Sequence, residues 1–109
     1  MSKRPVRLLL DDIGDAIARI ERYISGLSRE AFLADDKTGD AVVRNLEIIG
    51  EAARRLPEDF TQSHPDIPWQ KIVGLRHRIV HEYFGVDMKI VWQICRDDLS
   101  ALKDQLAHL

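Results

Sequence analysis

The densest run of chemically useful side chains lies between Arg76 and Tyr83, where Arg76, His77, Arg78, His81 and Tyr83 follow closely in the segment RHRIVHEY. A guanidinium can hold two phosphate oxygens at once and offset the charge that builds in a transition state. An imidazole transfers protons near neutral pH. Arg76 and His81 together therefore suit work on a phosphodiester, with His77 as a possible auxiliary group. Lys71 and Arg78 add positive charge for RNA phosphates, and Glu82 offsets part of it. Without a metal ion, the natural reaction is attack by the RNA's own 2′-hydroxyl, which leaves a 2′,3′-cyclic phosphate and excludes DNA.

Each of these residues also has a plainer reading. Arg76 can pair with a carboxylate such as Asp11, Asp12 or Glu51 where helices meet, and most helical histidines are solvated or satisfied structurally. His77 and His81 have the four-residue spacing of helical metal ligands. No glutamate follows the first histidine and no third ligand is evident, so no metal site is assigned. Asn45 lies on an apolar helix face, as a hydrogen-bonded core group would. Cys95 reads as a small buried hydrophobe.

The elements that must position these groups are helices. After Pro5, Leu9, Ile13, Ala16, Ile17, Ile20 and Ile24 recur at spacings of three and four, predicting a long helix that ends near Gly26. Ser28 can cap a short turn carrying Ala31, Phe32 and Leu33. Asp35 to Gly39 reads as a connecting loop. From about Gly39 to Leu56, the stripe Val42, Leu46, Ile49, Ala53 and Leu56 predicts a second long helix, stopped by Pro57. Gly50 inside it costs helix propensity and suggests a close approach by another helix.

The stretch PEDFTQSHPDIP reads as a turn-rich connector, with Asp66 and Pro68 able to open a third long helix over roughly 68–84 that Gly85 ends. Asp87 then caps a last helix with Ile90, Val91, Ile94, Leu99, Leu102 and Leu106 as core candidates. No segment alternates as a strand would. Four long helices with short connections and extra helical turns predict an all-α, up-down bundle in a single domain over 1–109.

Projected on an ideal third helix, Arg76 falls inside the apolar arc, between Ile72, Leu75 and Ile79 on one side and Trp69, Val73, Val80 and Phe84 on the other. Tyr83, seven residues on, shares its seam. Arg76 and His81 stand about 140° apart, so they meet only at a helix end or across two subunits. The wide apolar arc makes a homodimer plausible.

Composition bounds the remaining choices. The chain has 109 residues, 45% apolar and 31% charged, the balance of an ordinary globular domain. Its net charge of −2 gives no bulk attraction to nucleic acid or to a membrane, so an RNA partner must be held by a local patch. One cysteine excludes an internal disulfide, and no apolar run reaches membrane-spanning length; a cytoplasmic protein with no membrane partner is expected.

The run GLRHRIVHEYFGVD resembles the signature of the HepT-like branch of the HEPN ribonucleases: an arginine, four residues, a histidine, one residue and a tyrosine. RNLEIIGEAARRLP, the linker IPW and the later VWQI and DDL fit the same pattern. His77 departs from it, standing where asparagine is usual. The resemblance implies a dimeric helical bundle acting as a metal-independent endoribonuclease, without a cofactor for RNA cleavage. It also implies the toxin of a type VII-like toxin–antitoxin pair, with tRNA or mRNA as targets. By position, Arg76 and His81 become the catalytic pair. Tyr83 becomes the acceptor of AMP from a partner MntA-like minimal nucleotidyltransferase that uses ATP and magnesium. The alternative is a non-catalytic HEPN module that binds a nucleotide or docks such a nucleotidyltransferase.

Overall fold

The computed structural model describes residues 3–81 and 85–109. Its frame is a pair of 19-residue helices, α1 (Val6–Ile24) and α3 (Asp36–Arg54), packed along each other. Leu9, Ile13, Ala16, Ile17 and Ile20 of α1 meet Val42, Leu46, Ile49, Ala52 and Ala53 of α3 in a continuous core. Fully burying an aliphatic side chain contributes roughly 1.5–3 kcal/mol each against the cost of ordering the chain, so these two stripes dominate the fold. The only buried polar residue among those described, Asn45, is satisfied there. Its Nδ2 donates to the Ala41 carbonyl at 2.8 Å, and its Oδ1 accepts from Arg19 Nε at 2.7 Å.

The short α2 (Arg29–Leu33) is capped by Ser28, whose Oγ accepts from the Ala31 N–H at 3.1 Å. Asp35 to Gly39 is not a loop. Asp35 caps α3, accepting from the Thr38 N–H at 3.1 Å and the Thr38 hydroxyl at 2.7 Å, so the helix starts at Asp36, well before its apolar stripe begins at Val42. The connector after Pro57 also contains a helix, α4 (Glu58–Gln62), whose Phe60 packs its ring against His64 and Trp69.

The third long helix is interrupted. It consists of α5 (Trp69–Val73) and α6 (Leu75–Ile79), joined at Gly74. Gly50 of α3 lets α5 come close, since a Cβ there would lie 3.3 Å from the Ile72 carbonyl oxygen and 3.6 Å from that of Val73. After Ile79 the backbone turns extended. The strands β1 (Val80–His81) and β2 (Gly85–Val86) pair antiparallel, Val80 opposite Val86 and His81 opposite Gly85. The Asp87 N–H donates to the Ile79 carbonyl at 2.8 Å, taking the acceptor a continuing helix would need. Gly85, expected as a helix stop, instead supplies a positive φ of 75° within β2.

The last helical run comprises α7 (Met88–Gln93), a π segment (Ile94–Asp98) and α8 (Leu99–Leu106). Asp87 caps it, accepting from the Lys89 N–H at 3.0 Å. In the π segment the Leu99 N–H donates to the Ile94 carbonyl, five residues back. This solves a register problem, because residues five apart diverge by about 140° on an α-helix whereas one π turn brings them to one face. Val91, Ile94, Cys95, Leu99 and Leu102 are buried, and Ile90 and Leu106 pack at the edge. The architecture is an all-α bundle with one minimal hairpin, and no described helix is long and apolar enough to cross a membrane.

Candidate active site

Arg76 sits on α6, which is anchored by Leu75 and Ile79, 4% and 0% exposed. The guanidinium is not inside the core. Arg76, His77 and Arg78 are all exposed, and among the described residues of the wide apolar arc Ile72, Leu75, Ile79 and Trp69 pack inward. Val73 and Val80 of the same arc stand 37% and 44% exposed, three positions before Arg76 and four after it. Arg76 thus occupies a cationic position bordered by two exposed aliphatic side chains.

The carboxylates that were candidate partners for Arg76 are engaged elsewhere or exposed. Asp12 takes a two-pronged bond from Arg4 at 2.7 and 2.9 Å, which holds its carboxyl below the usual carboxylate range. Glu51 accepts from Arg54 at 2.7 Å and from Arg55 at 3.2 Å, and the Arg54 contact lowers its pKa. Asp11 is exposed. Among the described residues no carboxylate lies within ion-pair distance of Arg76.

His81 follows the helix rather than belonging to it, so an ideal-helix projection does not apply to it. Its backbone lies in β1 opposite Gly85, two residues past the last residue of α6. Tyr83, with its neighbours Glu82 and Phe84, lies outside the described residues. Among the described residues no cluster of three or more His, Cys, Asp or Glu could hold a metal ion.

Lys71 and Arg78 occupy a different side of α5 and α6. Both line a cleft of about 190 Å³ floored by Ile72, Leu75, Ile94 and Leu99, together with Asp97 and Asp98. Arg78 Nη1 donates to Asp98 at 2.6 Å, so part of that cleft's positive charge is already matched. Arg76 and His77 do not line it.

The chain as a whole resembles known proteins. A family model described as "Ribonuclease HepT-like" matches residues 13–109. The chain belongs to the HepT-like ribonuclease family. A protein of Thermococcus cleftensis named "Probable ribonuclease HepT" is 42% identical over 107 residues, covering 98% of this chain and 97% of its own length. A protein of Methanocaldococcus jannaschii, provisionally named an RNase, is 42% identical over 94 residues, 86% of this chain and 78% of its own. Another from Caldanaerobacter subterraneus subsp. tengcongensis, named in the same way, is 41% identical over 90 residues, 83% of this chain and 80% of its own. No solved structure gives a significant match. The all-α bundle is the fold expected from the HepT-like resemblance. The projection places Val73 and Val80 in the wide apolar arc around Arg76, but it does not reveal that this half of the arc is exposed.

Proposed function

We propose that this HepT-like chain is an endoribonuclease that cleaves RNA without a metal ion and serves as the toxin of a toxin–antitoxin pair. The observation that carries the reading is Arg76: a guanidinium held on a core-anchored helix turn, exposed, without a carboxylate partner among the described residues, and followed at once by the strand that bears His81. Such a group is poised to accept a phosphate. The RNA 2′-oxygen attacks phosphorus, the bond to the 5′-oxygen breaks, one proton leaves the 2′-hydroxyl and one reaches the 5′-oxygen. His81 handles one of these protons, and His77 or a second copy's histidine handles the other. Arg76 offsets the charge on the non-bridging oxygens.

A second copy of the chain fits the same face. Val73 and Val80 flank Arg76 as exposed apolar side chains, and covering them would bring two Arg76–His81 segments into one cleft. Lys71 and Arg78 are peripheral phosphate contacts in this reading, Arg78 by exchanging Asp98 for RNA. AMP transfer to Tyr83 by a partner nucleotidyltransferase, using ATP and magnesium, would place phosphate charge beside Arg76 and repel RNA.

Purified protein is expected to cut single-stranded RNA in excess chelator, leaving 2′,3′-cyclic phosphate ends. Arg76→Ala and His81→Ala should each lower the rate by about 10²-fold or more. Cleavage that survives both substitutions sinks the catalytic assignment. Coexpression with the nucleotidyltransferase should add AMP to the peptide carrying Tyr83, and equal labelling of Tyr83→Phe refutes that acceptor.

A further inference from the structure

The last helical run carries a second charged feature outside the Arg76 region. Lys89, Trp92, Gln93 and Arg96 follow at spacings of three and four along α7 and into the π segment, and Arg29, the first residue of α2, faces them across a shallow groove. Three cations and one carboxylate, Asp97, line this groove, in a chain whose net charge is −2. Arg29, Lys89 and Arg96 have no ion-pair partner among the described residues. Asp98, next along the helix, is occupied by Arg78. The positive charge is therefore local and unspent.

At its centre is a tilted aromatic pair. The half-buried Trp92 rests on Phe32, ring centroids 5.1 Å apart, and the Arg96 guanidinium lies 5.7 Å from the Trp92 ring centroid. Cations interleaved with an aromatic ring, one guanidinium lying over that ring, match a single strand: phosphates meet the charges, and a base can stack on the exposed planar surface. An acidic polypeptide would use the charges and leave the aromatic surface idle. The groove also begins close to the proposed site in the chain, since Lys89 lies two residues beyond Asp87, whose N–H is bonded to the carbonyl of Ile79 at the end of α6.

We infer that Arg29, Lys89, Trp92 and Arg96 form an RNA-holding exosite that grips single-stranded phosphates and stacks a base on the Trp92–Arg96 pair, apart from the residues that cleave. This rests on the ribonuclease reading above. The exosite anchors the strand whose neighbouring phosphodiester enters the Arg76–His81 site, so it governs affinity and not the chemical step.

The test measures binding of a fluorescein-labelled single-stranded RNA to His81→Ala protein by anisotropy, so that cleavage does not interfere. Adding Arg29→Gln, Lys89→Gln and Arg96→Gln should weaken binding at least about tenfold and reduce the slope of log affinity against log salt by about 2, since each lost phosphate contact on a single strand removes about 0.7. A control triple with the same charge change, Arg7→Gln, Arg22→Gln and Arg44→Gln, should bind within about twofold of the parent, by the same salt-linkage logic for charges outside the contact. Trp92→Phe, which preserves the ring contact with Phe32, should abolish most of the tryptophan quenching on RNA addition. Equal losses in both triples overturn the exosite, as does an unchanged affinity in the groove triple. Poly-glutamate bound as tightly as RNA, and lost in the same variant, overturns it in favour of an acidic protein partner. RNA cleavage by the parent chain with no effect of the groove triple refutes the exosite alone, whereas no cleavage and no RNA binding by any form refutes the ribonuclease reading with it.

Discussion

Gly50 offers a quantitative test of how the site is held. Replacing it with alanine in the interior of α3 should by helix propensity alone stabilise the protein by about 1 kcal/mol. The new Cβ would, however, stand 3.3 Å from the Ile72 carbonyl oxygen and 3.6 Å from the Val73 oxygen, both backbone atoms of α5. The first contact is tighter than ordinary van der Waals separation, and backbone cannot rotate away as a side chain can. Relief requires α5 to move off α3 by a few tenths of an ångström, disturbing the core packing of the buried Ile72. Overpacking of this kind costs about 1–3 kcal/mol.

Gly14 supplies the internal standard. It also lies inside a 19-residue helix, its φ is not positive, and a Cβ there meets nothing within 4 Å. Gly14→Ala should therefore gain roughly 0.5–1 kcal/mol, a rise in Tm of about 2–6 °C for a domain of this size. Gly50→Ala should fall below the parent or at best equal it, leaving a gap of about 1–3 kcal/mol between the two variants. Differential scanning calorimetry reads both. Because α5 continues through Gly74 into α6, RNA cleavage by Gly50→Ala should fall as well, while that of Gly14→Ala stays at the parent level. Equal stabilisation by the two alanines would show that α3 and α5 are not in close backbone contact, and the account of how Arg76 is positioned would fail with it.

Burial pushes the Cys95 thiol up to about 12. Above the ordinary thiol range the unfolded chain releases this proton while the folded chain keeps it, so stability declines as pH rises from about 9 towards 12, by roughly 1 kcal/mol at pH 10. Urea unfolding at pH 8 and pH 10 should show that loss in the parent and not in Cys95→Ala; an identical pH dependence in both refutes it. Asp35 behaves in the opposite sense. The Thr38 hydroxyl and N–H hold its carboxyl below the usual range. Its contribution is complete above the unfolded value and disappears as pH falls through the lower, folded one. Asp35→Asn should flatten the acid side of the stability profile between pH 5 and pH 2, as judged by thermal melts followed by circular dichroism, and an unchanged profile would remove Asp35 from the cap.

The parts of the fold legible in the sequence are those governed by local rules. The stripes of α1 and α3, the Ser28 and Asp87 caps and the tight approach at Gly50 all follow from residue type and spacing. Other features depend on partners distant in the chain or on a backbone geometry that periodicity does not encode. The Asp35 cap was hidden because the stripe of α3 begins at Val42, well inside the helix. The π segment reveals itself only through the five-residue step from Ile94 to Leu99, which an α-helical template reads as a weak register. Helix α6 ends because the Asp87 N–H reaches back to Ile79, a bond that joins the hairpin's two ends and that no window over 68–84 contains.

The same bond determines what could be inferred about the site. On an uninterrupted helix, Arg76 lies within the apolar arc and His81 points about 140° away, so a shared site would have to overcome the helix itself. With α6 ending at Ile79, the ideal-helix projection applies only as far as that residue. The Val73 and Val80 half of the arc is left exposed beside the guanidinium, and His81 follows the helix in an extended segment with a separate backbone direction. The width of the arc has an ambiguous meaning. An apolar stripe broader than one core requires can denote deeper burial or a second surface, and the exposures of Ile79 at 0% and Val80 at 44%, adjacent residues on either side of the helix end, divide it between the two. A purely structural role for Arg76 called for a carboxylate at a helix interface. With Asp12 bound to Arg4 and Glu51 to Arg54 and Arg55, that explanation has lost two of its three candidates, and the third, Asp11, is exposed on α1 without an ion pair to Arg76.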